Sequence, residues 1–264
     1  MRYQKCPFCE NSDSPPSAED VFPKWMAREL ARIHRPTKKM RLIVQGGQGH
    51  ADPDEEWGAP KGTLGIIVTM PCERCNNGWM SQLETAVLPI FTDLINGRPR
   101  LIKTDEQLIV ARWAVKTAMV YEYFRRHSPR YYRPSDRRAF YKQRIIPSGT
   151  GLWLGRYVGD VATQAYDPSE MLTFVSKDRN ILGQGYVFTI GVGQLTLQLF
   201  SHRWSENLDR AIRFTMPGVW DRALVEIWPN SFGNRQWPPR DALDDVAMNL
   251  LADRFLSARA TWLE

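Results

Sequence analysis

Two pairs of cysteines constrain this chain more than any other feature of its sequence. Cys6 and Cys9 lie in "CPFC", Cys72 and Cys75 lie in "CERC", and the 264-residue chain has no further cysteine. Four thiolates at this spacing suit tetrahedral zinc, because each short turn presents two sulfurs to one ion at about 2.3 Å. Two disulfides, or four unrelated buried thiols, are the alternatives. We expect one structural Zn²⁺ bound by all four cysteines.

The composition indicates a globular protein and points only weakly to a partner. The chain is 43% hydrophobic, and no segment approaches the run of about 18 to 20 apolar residues that a membrane span needs. The N-terminal "MRYQKCPFCE" has no apolar signal region, so we expect a soluble, cytoplasmic protein without membrane contact. The net charge of +6 is compatible with a nucleic-acid partner but does not establish one.

The residues between the cysteine pairs are too many for a compact zinc ribbon, so the zinc would enclose an inserted structure. "SAEDVFPKW", Ser17 to Trp25, contains a strand-like acidic motif, "KWMARELARIH" has helical spacing, and "TLGIIVTM" has the composition of a strand. Directly after Cys75 come Asn76 and a helical pattern, "GWMSQLETAVLPIFTDLI". The sequence therefore predicts a strand-rich, zinc-tied module that is closed by a helix.

These motifs resemble the zinc-bound members of the HNH, or ββα-metal, endonuclease family. The likeness covers Cys6 to Glu84 and is carried by "CPFC", "EDVFPKW" and "CERCNNGWMSQLE", in the order of that family. The resemblance implies a zinc-stapled, treble-clef-like ββα-metal module over residues 1–100. It also implies that Glu19 and Asn76 hold a catalytic divalent cation, Mg²⁺ or Mn²⁺, at the scissile phosphate.

The chain departs from that family at Asp20, where the family motif has a histidine that deprotonates the attacking water. An aspartate is a weak base at neutral pH, because its ordinary pKa is about 3.9. Three outcomes stay open. Asp20 serves as a further metal ligand, a nearby histidine such as His50 substitutes for the missing one, or catalysis is lost and a binding module remains.

Glu84 lies eight residues after Asn76, close to where the family places its last metal-binding histidine. Two helical turns bring its side chain back toward the same side of the helix. We therefore expect Glu84 to be either a third ligand of the divalent cation or an exposed helix glutamate.

The second part of the chain, residues 101–264, has the pattern of an α+β region with an antiparallel sheet. It opens with a long predicted helix, "TDEQLIVARWAVKTAMVYEYFRRH", and continues with β-rich segments and a final helix. We expect this region to position the substrate or to form a homodimer. A basic and aromatic segment predicts a nucleic-acid surface, against the alternative of a solvated basic face. Its residues are Arg125, Arg126, Arg130, Arg133, Arg137, Arg138 and Lys142.

The fold class expected is thus α+β, and the function expected is that of an HNH-type endonuclease. Such an enzyme would hydrolyse phosphodiester bonds of double-stranded DNA, with Glu19, Asp20 and Asn76 as catalytic residues. The resemblance suggests a place in phage defence or mobile-element biology. The alternative is a catalytically inactive zinc protein that binds nucleic acid or a protein partner.

Overall fold

The computed structural model describes residues 2–33, 40–45, 55–57, 66–124, 129–160, 163–168, 171–176, 178–205, 220–229 and 233–257. His50, Arg125 and Arg126 lie outside the described residues. In chain order the elements are β1 (Pro16–Asp20), α1 (Lys24–Ile33), β2 (Met40–Gln45), β3 (Glu55–Trp57), β4 (Ile67–Cys72), α2 (Glu73–Cys75), a π-helical turn (Asn76–Met80), α3 (Ser81–Ile95), β5 (Arg100–Ile102), α4 (Thr104–Tyr121), α5 (Pro134–Gln143), β6 (Thr150–Tyr157), β7 (Thr163–Pro168), β8 (Leu172–Val175), β9 (Ile181–Val192), β10 (Leu195–Trp204), β11 (Leu224–Trp228), β12 (Arg235–Trp237), β13 (Ala242–Leu243) and α6 (Asp245–Ser257).

The N-terminal unit consists of two strands followed by a helix. β1 pairs with β4 in an antiparallel two-stranded sheet, in which Glu19 lies opposite Val68 and Asp20 lies opposite Ile67. β4 leads directly through α2 and the π-helical turn into α3. The predicted strand, helix and cysteine-flanking strand are therefore present, and together they form a mixed α/β unit with the cysteines at its end.

The second region is built on a large sheet with the strand order β11-β6-β10-β9-β7-β2-β3, with β13 and β8 paired to β6 and β9. The predicted antiparallel character is confirmed for most pairs, including the hairpin of β9 and β10. Gly193 supplies the φ of +57° that the turn of this hairpin needs. Two pairs, β2 with β7 and β13 with β6, are parallel.

The strands β2 and β3 come from the segment between the two cysteine pairs, yet they extend the sheet of the second region. The sequence predicts the whole inserted segment as part of the N-terminal module, residues 1–100. The pairing of β2 with β7 joins residues that are more than a hundred positions apart along the chain. The two regions are therefore connected by a sheet as well as by the chain.

The helix α4 lies in the middle of the molecule. It contacts α3, β4 and β11, and its second half is buried on every side, from Trp113 through Tyr121. Phe91 on α3 packs edge-on against Trp113 on α4 with ring centroids 4.8 Å apart. One hydrophobic core includes buried residues of the N-terminal unit, of α4 and of the sheet. None of the described helices has both the length and the apolar character that crossing a membrane requires.

Candidate metal centre and acidic site

The four cysteines come together at one end of the N-terminal unit. Their sulfurs all lie within 4.8 Å of one another, with 3.8 Å between Cys6 and Cys75 and 3.6 Å between Cys9 and Cys72. A tetrahedron with metal–sulfur bonds of about 2.3 Å has sulfurs about 3.8 Å apart, whereas a disulfide needs about 2.05 Å. The cluster is therefore compatible with the predicted structural zinc, and the disulfide alternative is wrong for this arrangement.

Local backbone geometry explains how two distant chain segments meet at this point. The chain turns back after Cys9, where Glu10 has a φ of 58° and its N–H donates to the Cys6 carbonyl at 2.8 Å. The N–H of Cys72, at the end of β4, donates to the Cys6 sulfur at 3.5 Å. The hydrogen bond with the Cys75 thiol lowers the pKa of Cys6 to about 4, and the same bond raises the pKa of Cys75, so in this pair Cys6 is the thiolate and Cys75 keeps the proton.

An aromatic layer covers the cysteine cluster. Trp79, four residues after Cys75, packs edge-on against Phe8 at 5.5 Å and against Phe140 of α5 at 5.7 Å. The Arg144 guanidinium lies over the Trp79 ring, 4.3 Å from its centroid. Trp79 is therefore in contact with the second region of the chain as well as with its own module.

Asn76 connects the start of the closing helix to β1. Its side-chain amide donates to the Ser17 hydroxyl at 2.6 Å and to the Ala18 carbonyl at 3.2 Å. The residue lies in a π-helical turn, a local form that is frequent at functional sites. The structure thus brings Asn76 next to the acidic strand, as the resemblance implies, but its amide nitrogen is engaged by that strand.

Glu19 and Glu84 converge on a residue that the sequence analysis did not single out. The Lys116 ammonium of α4 donates to the Glu19 carboxylate at 2.9 Å and to the Glu84 carboxylate at 2.8 Å. The Lys116 side chain is 0% exposed, while Glu19 is 4% exposed and Glu84 is 22% exposed. Glu84 is therefore not an exposed helix glutamate, because its side chain is mostly buried and its carboxylate is bound to Lys116.

Burial and charge act in opposite directions on this cluster. Burial raises the pKa of Glu19, and the adjacent Lys116 ammonium only partly offsets that effect. Burial alone would lower the pKa of Lys116, but the negative charges of Glu19 and Glu84 outweigh it and raise the pKa instead. The lysine is thus kept as a cation in the interior by its two carboxylate partners.

Asp20 lies at the end of β1, beside this cluster and nearer to solvent. Its side chain is 19% exposed, and the Lys24 ammonium is 3.8 Å from its carboxylate. Burial raises the pKa of Asp20, Lys24 opposes the shift, and the charge of Glu84 adds to it. Asp20 is therefore a stronger base here than an ordinary surface aspartate.

The described part of the basic segment divides into exposed and buried residues. Arg130, Arg133, Arg138 and Lys142 are exposed, with the Arg130 guanidinium 4.0 Å above the Tyr123 ring. Arg138 pairs with Glu10 at 2.9 Å. Arg137, in contrast, is buried and donates to Glu122 at 2.7 Å, because it packs on the inner side of α5. The interpretation of Arg137 as a nucleic-acid contact does not hold in this arrangement.

One signal in the sequence could have identified Lys116. It is the single charged residue in "WAVKTAMVY", the second half of α4, which apart from Lys116 and Thr117 is apolar on every face. A helix that is apolar all round is buried, and a buried charge needs a partner of opposite sign. Its partners could not be named from sequence, because Glu19 is 97 residues away.

A comparison with known protein families, with curated proteins and with solved structures finds no match for this chain. The HNH likeness therefore rests on the sequence motifs alone. What the described residues show is a mixed α/β fold with a four-cysteine cluster next to an acidic strand.

Proposed function

We propose that this protein hydrolyses phosphodiester bonds in nucleic acid at its N-terminal unit. The observation that carries the proposal is the meeting of the acidic end of β1 with Glu84 on α3 and with Asn76 at the start of the closing helix. A four-cysteine cluster fixes the strand and the helix relative to each other. This combination agrees with the resemblance of the motifs to zinc-bound HNH endonucleases.

Asp20 is the side chain best suited to act on a water molecule. It is partly exposed, and burial raises its pKa, which brings an aspartate closer to the range of an effective general base. In the proposed step the water oxygen attacks phosphorus and its proton passes to Asp20. The bond between phosphorus and the leaving oxygen breaks, and that oxygen takes up a proton from solvent water to leave as a hydroxyl group. The exposed Lys24 ammonium, 3.8 Å from Asp20, is placed to contact the phosphate.

The predicted divalent cation stays a prediction from the resemblance. Mg²⁺ requires near-octahedral oxygen ligands at about 2.1 Å. Glu19 and Glu84 are instead both bound to Lys116. Within the described residues, the cysteines form the one group of three or more His, Cys, Asp or Glu side chains close enough to hold an ion. Glu19 and Glu84 do not fit a divalent cation while both are bound to Lys116, and we assign no step to one.

The nucleic acid would reach the site from the side of the exposed basic residues. Arg130, Arg133, Arg138 and Lys142 are the described members of the predicted surface that face solvent. Contacts of this kind go mainly to phosphates, so they would give affinity and position without base preference. Double-stranded DNA is the substrate that the resemblance favours.

A second candidate is a nucleic-acid-binding protein without catalysis. It is favoured by the closed Glu19–Lys116–Glu84 cluster, since two of the carboxylates are neutralised internally and are not presented to a substrate. In that case the zinc-tied unit would serve as a scaffold for the basic surface. The two candidate functions differ in the role of Asp20, which is required for strand cleavage in the first and has no catalytic role in the second.

Nicking of supercoiled plasmid DNA by the full chain separates the two candidates. The wild type would be compared with Asp20→Ala and Asn76→Ala between about pH 6 and pH 9, in metal-depleted buffer and with added Mg²⁺ or Mn²⁺. Asp13→Ala is the matched control, because Asp13 is an exposed aspartate of the same unit. We expect nicking that Asp20→Ala abolishes and Asp13→Ala leaves intact.

DNA binding measured on the same variants completes the test. If the wild type binds DNA but does not nick it, and Asp20→His also does not nick it, then the protein binds nucleic acid without catalysis. If Asp20→His gains activity while the wild type has none, the scaffold is competent and the aspartate is what limits catalysis.

A further inference from the structure

The ammonium of Lys116 lies where two acidic side chains from different elements meet. Glu19 comes from β1 and Glu84 comes from α3, and each places an oxygen within 2.9 Å of the same nitrogen. The lysine arrives from a third element, α4, which belongs to the second region of the chain. A single cation thus connects the strand, the closing helix and the central helix.

We propose that the Lys116 ammonium is the resident cation of this site. It lies between Glu19 and Glu84, in place of the divalent ion that the resemblance assigns to Glu19 and Asn76 with Glu84 as a candidate third ligand. The donor set supports this assignment. An ammonium has three N–H groups and no acceptor, so two carboxylates can bind it at hydrogen-bond distance without rearrangement. The observed separations of 2.9 and 2.8 Å are those of charge-assisted hydrogen bonds.

Burial makes this cation a fixed one. Lys116 is fully buried and Glu19 is nearly so, and a buried charge that loses its partner is strongly destabilising. A divalent cation at Glu19 and Glu84 would lie next to the ammonium and be repelled by it. Lys116 and a divalent cation are therefore alternatives at this pair of carboxylates.

The inference gives the second region a role in the acidic site. Lys116 is a positioning residue, because it holds Glu19 and Glu84 and, being fully buried, does not face a substrate. It keeps Glu84 near Asp20, whose pKa the charge of Glu84 helps to raise. The site is incomplete without α4, although every family-like motif lies before it in the sequence.

Binding of Mn²⁺ to the zinc-loaded full chain tests the proposal directly. The variants are Lys116→Met, which removes the charge but keeps much of the volume, and Lys116→Arg, which keeps the charge. We expect no saturable Mn²⁺ site at Glu19 in the wild type or in Lys116→Arg. In Lys116→Met we expect a saturable Mn²⁺ site with an affinity about ten-fold or more above the weak, non-saturable background of the wild type, because two carboxylates then lack their cation. Adding Glu19→Gln to Lys116→Met should remove that gain.

The result that overturns the proposal is a saturable Mn²⁺ site in the wild type that Glu19→Gln abolishes. This comparison of the wild type with Glu19→Gln tests the proposal even if Lys116→Met does not fold. Equal Mn²⁺ affinity in folded Lys116→Met and in the wild type would also overturn it. The two proposals can fail independently. Mn²⁺ binding is measured without DNA and tests only the role of Lys116, whereas nicking by the Asp20 variants tests only the nuclease proposal.

Discussion

The buried pair of Glu122 and Arg137 gives a prediction whose size follows from the structure. One Glu122 oxygen accepts the backbone N–H groups of Tyr131 and Tyr132 at 2.5 and 3.2 Å, and the other accepts from Arg137 at 2.7 Å. Both side chains of the ion pair are 4% exposed. This burial raises the pKa of Glu122 from 4.5 to about 7, although the Arg137 guanidinium and the two backbone N–H groups act to lower it.

The sign of the pH dependence follows from this shift. Between about pH 4.5 and pH 7 the folded protein keeps a proton on Glu122 that the unfolded chain has lost. The contribution of Glu122 to stability is therefore fully present below pH 4.5 and is lost as the pH rises through 7. Over that interval the loss amounts to about 3 kcal/mol, and above it the contribution is constant.

Replacing Arg137 by methionine removes the group that holds this pKa down. The pKa of Glu122 then rises further, so the folded variant still carries the proton above pH 7. We expect the variant to be less stable than the wild type by about 3 to 5 kcal/mol at alkaline pH. The difference should grow by up to about 1.4 kcal/mol for each pH unit above 7, because only the wild type has completed its titration there.

Urea unfolding followed by tryptophan fluorescence, with zinc held at a fixed concentration, measures these differences. The double variant Glu122→Gln with Arg137→Met is the matched control, since it lacks the titrating group and should lose the extra pH dependence. A destabilisation below about 1 kcal/mol would refute the reasoning. So would a difference between Arg137→Met and the wild type that stays constant from pH 7 upward.

Three further predictions concern the metal centre, the start of the closing helix and the basic surface. Cys9→Ser should lower bound zinc from about one per chain toward zero, as read by elemental analysis, and full zinc retention would contradict the four-sulfur site. Asn76→Ala should cost about 1 to 2 kcal/mol in urea unfolding, since it removes the donor to Ser17 and Ala18; an unchanged midpoint would show that these bonds do not matter. Lys142→Gln should reduce the slope of log affinity for DNA against log salt by about one, and an identical slope would place Lys142 outside the interface.

The parts of this structure that sequence predicted are those that local pattern determines. The cysteine spacing was enough to predict the four-cysteine cluster, because two short turns with two sulfurs each leave few other arrangements. The strands and helices around it followed from hydrophobic periodicity, as in α1 and β4. The predicted helix over 104–127 was too long at its C-terminal end, since α4 ends at Tyr121 and residues 122–124 form a turn.

The parts that sequence missed depend on packing between distant segments. Arg137 sits in a basic and aromatic run, and only the packing of α5 shows that its side chain turns inward to Glu122. The pairing of β2 with β7 likewise joins strands whose partners no local pattern names. The sequence names Asp20 and Glu84 as candidates, but the cation between Glu19 and Glu84 is supplied by α4, which follows the motifs in the chain.

The position of α4 explains why the sequence predicted the elements of the N-terminal unit but not the lysine that completes its acidic site. Every motif that suggested a nuclease precedes residue 100, so the N-terminal unit reads as if it were self-contained. Yet its Glu19 is buried by a helix of the second region, and that helix supplies the charge which Glu19 needs in the interior. Without α4, the Glu19 carboxylate of an isolated N-terminal unit would have neither the same burial nor the Lys116 charge, so its ionisation would differ. The acidic site is therefore a property of the complete packing of β1, α3 and α4.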